Sequence, residues 1–148
     1  MNNRFRYTQI KRFFIDGVPV PQGSMRTVGR GVVIHSNAKK LKEWRTLVAY
    51  QVRAFFQDEE QIDDALRIDL EFYLPRPRSV KRIFPSRKPD LDKLIRAVLD
   101  GITESNAVSD DARFVEINAK KFYTYDTEVF TRRPGVFVEF YRIDEESM

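Results

Sequence analysis

The sequence predicts an α+β fold: a single small domain in which two main helices, about residues 37–56 and 90–103, pack on a β-sheet. Three observations predict it. Apolar residues recur at helical spacing over Asn37–Phe56 and again from Asp90 to about Thr103. Strict apolar/polar alternation runs through Arg67–Leu74, the mark of a strand with one buried face. The length of 148 residues suits one hydrophobic core, and a 42% hydrophobic content is too high for a disordered chain.

Ile10–Asp16 reads as a short strand ended by Gly17. Val18–Arg26 reads as a loop, because Pro19 and Pro21 remove ladder donors and Gly23 permits a turn. Val32–His35 is a second strand or a hairpin arm. The first helix follows, with Asn37 as its cap and Leu41, Trp44, Leu47, Val48, Val52, Phe55 and Phe56 as its apolar stripe. Its lysine-rich start (Lys39, Lys40, Lys42) opposes the helix dipole and is read as solvated. Asp58–Asp64 is an acidic linker. In Arg67–Leu74 the residues Ile68, Leu70, Phe72 and Leu74 share the buried face. Pro75–Pro89 holds four of the seven prolines and is expected to be extended and mobile.

The second helix carries an apolar arc of Leu91, Leu94, Ile95, Val98, Leu99 and Ile102. Asp92, Arg96, Asp100 and Thr103 line its opposite margin, within about 80° of one another. Asp90 is its N-cap and Ser105–Asp111 a turn. Arg113–Tyr125 and Val136–Ile143 are two long strands joined across Asp126–Gly135.

Composition narrows the chemistry. There is no cysteine, so no disulfide, thiolate nucleophile or Cys-ligated zinc can form, which fits a reducing cytoplasm. The polar, basic start shows no signal peptide, and no apolar run is long enough to span a membrane. A single histidine, His35, rules out two-His metal sites within one chain. No lysine has Asp or Glu two residues before it, so the Asp/Glu-x-Lys element of restriction-type nucleases is missing. Ile95 stands where an EF-hand needs glycine, and no P-loop lysine follows the early glycines.

Charge is concentrated. The net charge is +4, yet Pro75–Pro89 alone holds six Lys/Arg and no acid, so the remainder is slightly negative. A local basic patch fits a polyanion at one place; a merely solvated loop is the plainer alternative. Directly after it come Asp90 and Asp92, then Asp110 and Asp111. Magnesium takes hard oxygen ligands and keeps several waters, so one to three such carboxylates suffice. Asp90 and Asp92 can converge because the first lies outside the helical turn, and Asp111 could close the site. The plainer alternative makes them an N-cap, a first-turn acid and turn residues.

The stretch Lys88-Pro89-Asp90-Leu91-Asp92, with Leu94, Asp100 and Asp110-Asp111, resembles the signature of the RusA family of Holliday-junction resolvases, known from phages and prophages. The loop Gly17-x-Pro19-x-Pro21-Gln22-Gly23-Ser24-x-Arg26, the strand running into Arg76-Pro77-Arg78-Ser79, and Pro134-Gly135 before a final strand are similar too. The resemblance implies a small mixed fold, a homodimer, and Mg²⁺-dependent cutting of four-way DNA junctions, with Mn²⁺ as a substitute and no small-molecule cofactor. It places metal ligands at Asp90, Asp92 and Asp111, and Asp110 beside them is read as a helper. Arg96 would face the phosphate, fixed by Asp100 one turn on. Arg76, Arg78, Lys81, Arg82, Arg87, Lys88, Lys93 and Arg26 would bind DNA. The C-terminal strands and the Trp44 helix are candidate dimer surfaces. Two departures stand out: Lys93 where the family has Asn, and Arg96 where it has Lys, which keeps the charge but not the ammonium geometry. A junction-binding protein with weak cleavage, or a phosphohydrolase acting on a smaller substrate, are the other readings.

Overall fold

The computed structural model describes residues 4–23, 25–28, 32–35, 38–126 and 131–146, with backbone only at 25–28, 32–35, 126 and 131. In chain order the elements are β1 (Phe5–Asp16), β2 (Met25–Val28), β3 (Val32–His35), α1 (Ala38–Phe55), β4 (Leu66–Leu74), α2 (Leu91–Glu104), a 3₁₀ turn (Asp111–Arg113), β5 (Phe114–Tyr123), β6 (Tyr125–Asp126), β7 (Thr131–Arg132) and β8 (Gly135–Glu145). Asn37, expected to cap α1, lies outside the described residues.

Four strands form one mixed sheet in the order β1-β8-β4-β5. β8 runs antiparallel to both β1 and β4, while β5 runs parallel to β4. A parallel pair needs a crossover, and α2 supplies it. β5 and β8, consecutive long strands in the sequence, are therefore not neighbours. The fold is α+β, a single small domain, as the sequence predicts.

The alternation in β4 is real: Leu66, Ile68, Leu70 and Phe72 are buried. They face Trp44, Val48 and Val52 of α1 and Leu94, Val98 and Ile102 of α2 in a single core. Trp44 is only 3% exposed, so the expectation that its helix face serves as a dimer surface does not extend to the indole itself. The helices touch at Gly101, where an added Cβ would come within 2.7 Å of Val48 Cγ1. Arg45 of α1 then reaches Asp100 and Glu104 of α2, at 3.8 and 3.6 Å. Asp100 therefore pairs with Arg45 of α1, in place of the Arg96 pair that their spacing predicts; the core packing of the helices brings the longer-range partner in.

β1 begins at Phe5, five residues before the expected start. Its first half pairs with the last residues of β8, from Phe5 opposite Glu145 to Gln9 opposite Tyr141. β2, in a stretch whose first residues were expected to be loop, pairs with β3 in a small hairpin. The acidic linker is a clamp. Ile62 bridges to Val108, and Asp63 accepts from the Ser109 hydroxyl at 2.6 Å and from Arg113 at 2.8 Å. This holds the turn that carries Asp110 and Asp111.

Candidate active site and nucleic-acid interface

Asp90 is the N-cap of α2 in extended conformation, but its side chain makes no capping hydrogen bond. Its carboxylate lies 3.6 Å from Lys93 Nζ instead. Asp90, Lys88 and Lys93 line a cavity of about 630 Å³ together with the Val18–Gly23 loop, Pro75 and Tyr123. That loop is tied to the helix start by Gln22 N–H donating to Lys93 O at 3.0 Å. Among the described residues, buried Gln22 Oε1 has no hydrogen-bond partner. Asp92 is exposed in the first turn. Arg96, one turn on, is exposed and has no carboxylate partner among the described residues.

The basic loop is fastened to the edge strand β5 at two points. Tyr123 N–H donates to Ile83 O at 2.8 Å. Lys121 Nζ donates to Arg87 O and Pro89 O at 2.9 and 2.7 Å. The expected mobile loop is thus an irregular but anchored one. Lys121 gave no signal in the sequence beyond being a strand lysine; only the parallel register of β5 puts it there. Arg76, Arg78, Lys81, Arg82, Arg87 and Lys88 are all exposed, so the patch faces water. The side chain of Arg26 lies outside the described residues, as does that of His35.

Asp110 and Asp111 stand elsewhere. Asp110 Oδ1 accepts from Ala112 N–H at 2.8 Å, and this bond first of all holds its carboxyl below the usual range. Asp111 is pushed the other way, chiefly by the hydrogen bond it shares with Asp110, then by partial desolvation, then by the charges of Asp110 and Asp100. They precede Phe114, which lies opposite Leu66 at the start of β4. Asp90 lies beyond Leu74 at its finish. Asp100, the neighbour of Asp111, is ten residues down α2 from Asp90, about 15 Å at 1.5 Å per residue.

A divalent ion therefore finds the right kind of ligand but not the right convergence within one chain. Carboxylate oxygens suit magnesium, and a carboxyl pair as crowded as Asp110–Asp111 is one that a cation would relieve. Yet among the described residues no three acids, histidines or cysteines come together to hold a metal. The structure sets Asp90 in the cavity with Lys93, leaves Asp92 exposed on the first turn, and brings Asp110 and Asp111 together at the far end of the helix.

An acid at a helix start, two lysines in the same cavity and a cation-rich loop fastened beside it mark one end of the sheet of this small α+β protein. The particular family is given by comparison. The chain belongs to the RusA endodeoxyribonuclease family, whose model, Endodeoxyribonuclease RusA, matches residues 16–139. No curated protein matches the chain. No helix among the described residues is long and apolar enough to cross a membrane.

Proposed function

We propose that this chain is a Mg²⁺-dependent, structure-selective DNA endonuclease that resolves four-way junctions as a homodimer, through paired symmetric nicks. The observation that carries the reading is the Asp90 cavity: a carboxylate outside the helical turn, beside Lys88 and Lys93, at the foot of a loop with six cations and no acid. Family membership supports it. Asp90, Asp92 and Asp111, helped by Asp110, would hold Mg²⁺ or Mn²⁺, which when bound supplies an activated water and charge stabilisation at a phosphodiester. Arg96 is the cation available to a phosphate on the same helix face as Asp92. The Arg76–Lys88 loop grips backbone phosphates, which fix position without reading sequence.

The separation of the two acid pairs supports the dimer. A second copy that brings Asp111 of one chain to Asp92 of the other would complete the ligand set, whereas a lone chain has only halves. Asp92→Asn and Asp111→Asn should each be inactive alone. After subunit exchange their mixture should regain nicking, because each mixed dimer then holds one intact shared site. A mixture that stays dead, under conditions where wild-type subunits exchange and remain active, would show that the sites are not shared.

The activity itself is tested by incubating wild type and Mg²⁺ with a four-way junction, a paired duplex and free nucleotides. Nicking confined to the junction is expected. Tight junction binding without nicking would make this a binding protein, and hydrolysis of nucleotides alone would make it a phosphohydrolase.

A further inference from the structure

Tyr123 lines the Asp90 cavity and also a second hollow, of about 410 Å³. The other walls of this hollow are largely aromatic. Tyr73 and Phe122 stack with centroids 5.5 Å apart and planes at 21°, and Tyr125 meets Tyr73 edge-on at 6.4 Å. Ile83 of the basic loop closes one side, and Arg76 and Arg82 stand among the lining residues. The Arg82 guanidinium lies 5.8 Å from the centre of the Tyr123 ring. Arg76 has no carboxylate partner among the described residues.

Two properties meet here that water alone does not reward. The interior is apolar and ring-lined, and two of the loop's apolar residues, Ile83 and Phe84, are 63% and 58% exposed. The covering segment is cationic and free of acid. A small apolar ligand would leave the arginines idle, and a bare phosphate would leave the rings idle. A nucleotide uses both, since its base offers flat faces for stacking and its phosphates take the guanidinium forks. The base must be unpaired, because in a continuous duplex both its faces are covered by neighbouring bases.

We infer that this hollow receives an unpaired nucleobase at the branch point of DNA, with Arg76 and Arg82 on the flanking phosphates. The inference rests on the DNA-cutting reading above and adds where structure selectivity is sensed. Because Tyr123 is a common wall, a base seated here carries its own strand to the Asp90 cavity. Fully paired DNA can lie on the basic loop but cannot fill the hollow.

The test measures affinity in chelator, so that nothing is cut, for a four-way junction, a paired duplex, the same duplex with a one-nucleotide bulge, and that bulge made abasic. Wild type should prefer the base-bearing bulge to the abasic one by about tenfold, the scale of one stacked base. Tyr125→Ala and Phe122→Leu should abolish that preference, weaken junction binding and leave paired-duplex affinity unchanged. Phe122→Tyr should restore the preference. Equal wild-type affinity for the two bulges, or variants that keep the full preference, would overturn the inference while duplex and junction binding left the nuclease reading standing. Absence of wild-type binding to every DNA would overturn both. If a variant also loses duplex binding through misfolding, the wild-type contrast between base and abasic site decides alone.

Discussion

The two ends of α2 carry similar acids in opposite surroundings. At its start, Asp90 has Lys93 at 3.6 Å and Lys88 in the same cavity. Near its finish, Asp111 has Asp110 against it and Asp100 close by, and its carboxyl is raised by them. The start is partly compensated by the chain's own cations. The finish is crowded with like charge. A motif of several aspartates is therefore not one site by virtue of its spacing; the neighbours of each decide what it can take.

The largest test of this contrast is Asp92→Asn. Nicking in Mg²⁺ should fall by several orders of magnitude, since the variant lacks a charged ligand for the ion. Junction affinity in chelator should stay equal or tighten, because one negative charge near phosphate is gone. Nicking rate, affinity and melting temperature on a single preparation check it. A variant that still nicks and melts slightly lower would reduce Asp92 to a first-turn acid worth about 0.3–1 kcal/mol.

Neutralising Arg76, Arg78, Lys81 and Arg82 together touches the start alone. Junctions and duplexes should both bind more weakly, and the log–log salt slope should drop by roughly 0.9 for each phosphate that the loop no longer neutralises. An unchanged slope would put the DNA surface elsewhere. Gly101→Ala probes the spacer between the ends. Its methyl meets Val48 well inside van der Waals distance, so overpacking should cost about 1–3 kcal/mol. Chemical denaturation measures this, and a neutral result would mean the helices part easily.

The smallest effect belongs to the finish. Asp63 is held below the ordinary carboxylate range by the Ser109 hydroxyl first and Arg113 next. A lowered carboxyl contributes stability that is present above its unfolded pKa and is lost as pH falls through the folded one. Wild type should therefore melt slightly higher than Asp63→Ala at neutral pH, with the gap closing in acid. The absence of a gap at every pH would assign the clamp to the Ile62 backbone bonds alone.

Much of the fold was legible because it is local. Leu94, Val98 and Ile102 recur with the period of a buried helix face, and Ile68, Leu70 and Phe72 with that of a buried strand face. What escaped was set by partners far along the chain. Phe5–Gln9 alternate ring and polar residues but bury neither face, and they are held as a strand by pairing with β8. Asp100 had Arg96 within reach along its own helix, but packing at Gly101 brought Arg45 across. The site was legible in its residues and not in its distances. Twenty-one positions separate Asp90 from Asp111 in sequence; a helix between them turns that into opposite ends of a sheet, a length that no residue announces.

The loop's fastening has a consequence for how such a protein can change. Leu74 O accepts from Thr124 N–H at 2.8 Å, and Ile83 O accepts from Tyr123 N–H at 2.8 Å. Residues 75–82 therefore leave and rejoin the body at adjacent points of one corner. Within that bracket Pro75 and Pro77 wall the Asp90 cavity and Arg76 and Arg82 line the second hollow, so the changes that leave both in place are those at residues 78–81. Residues 78–81 are thereby the part of the loop that can vary while both hollows keep their walls.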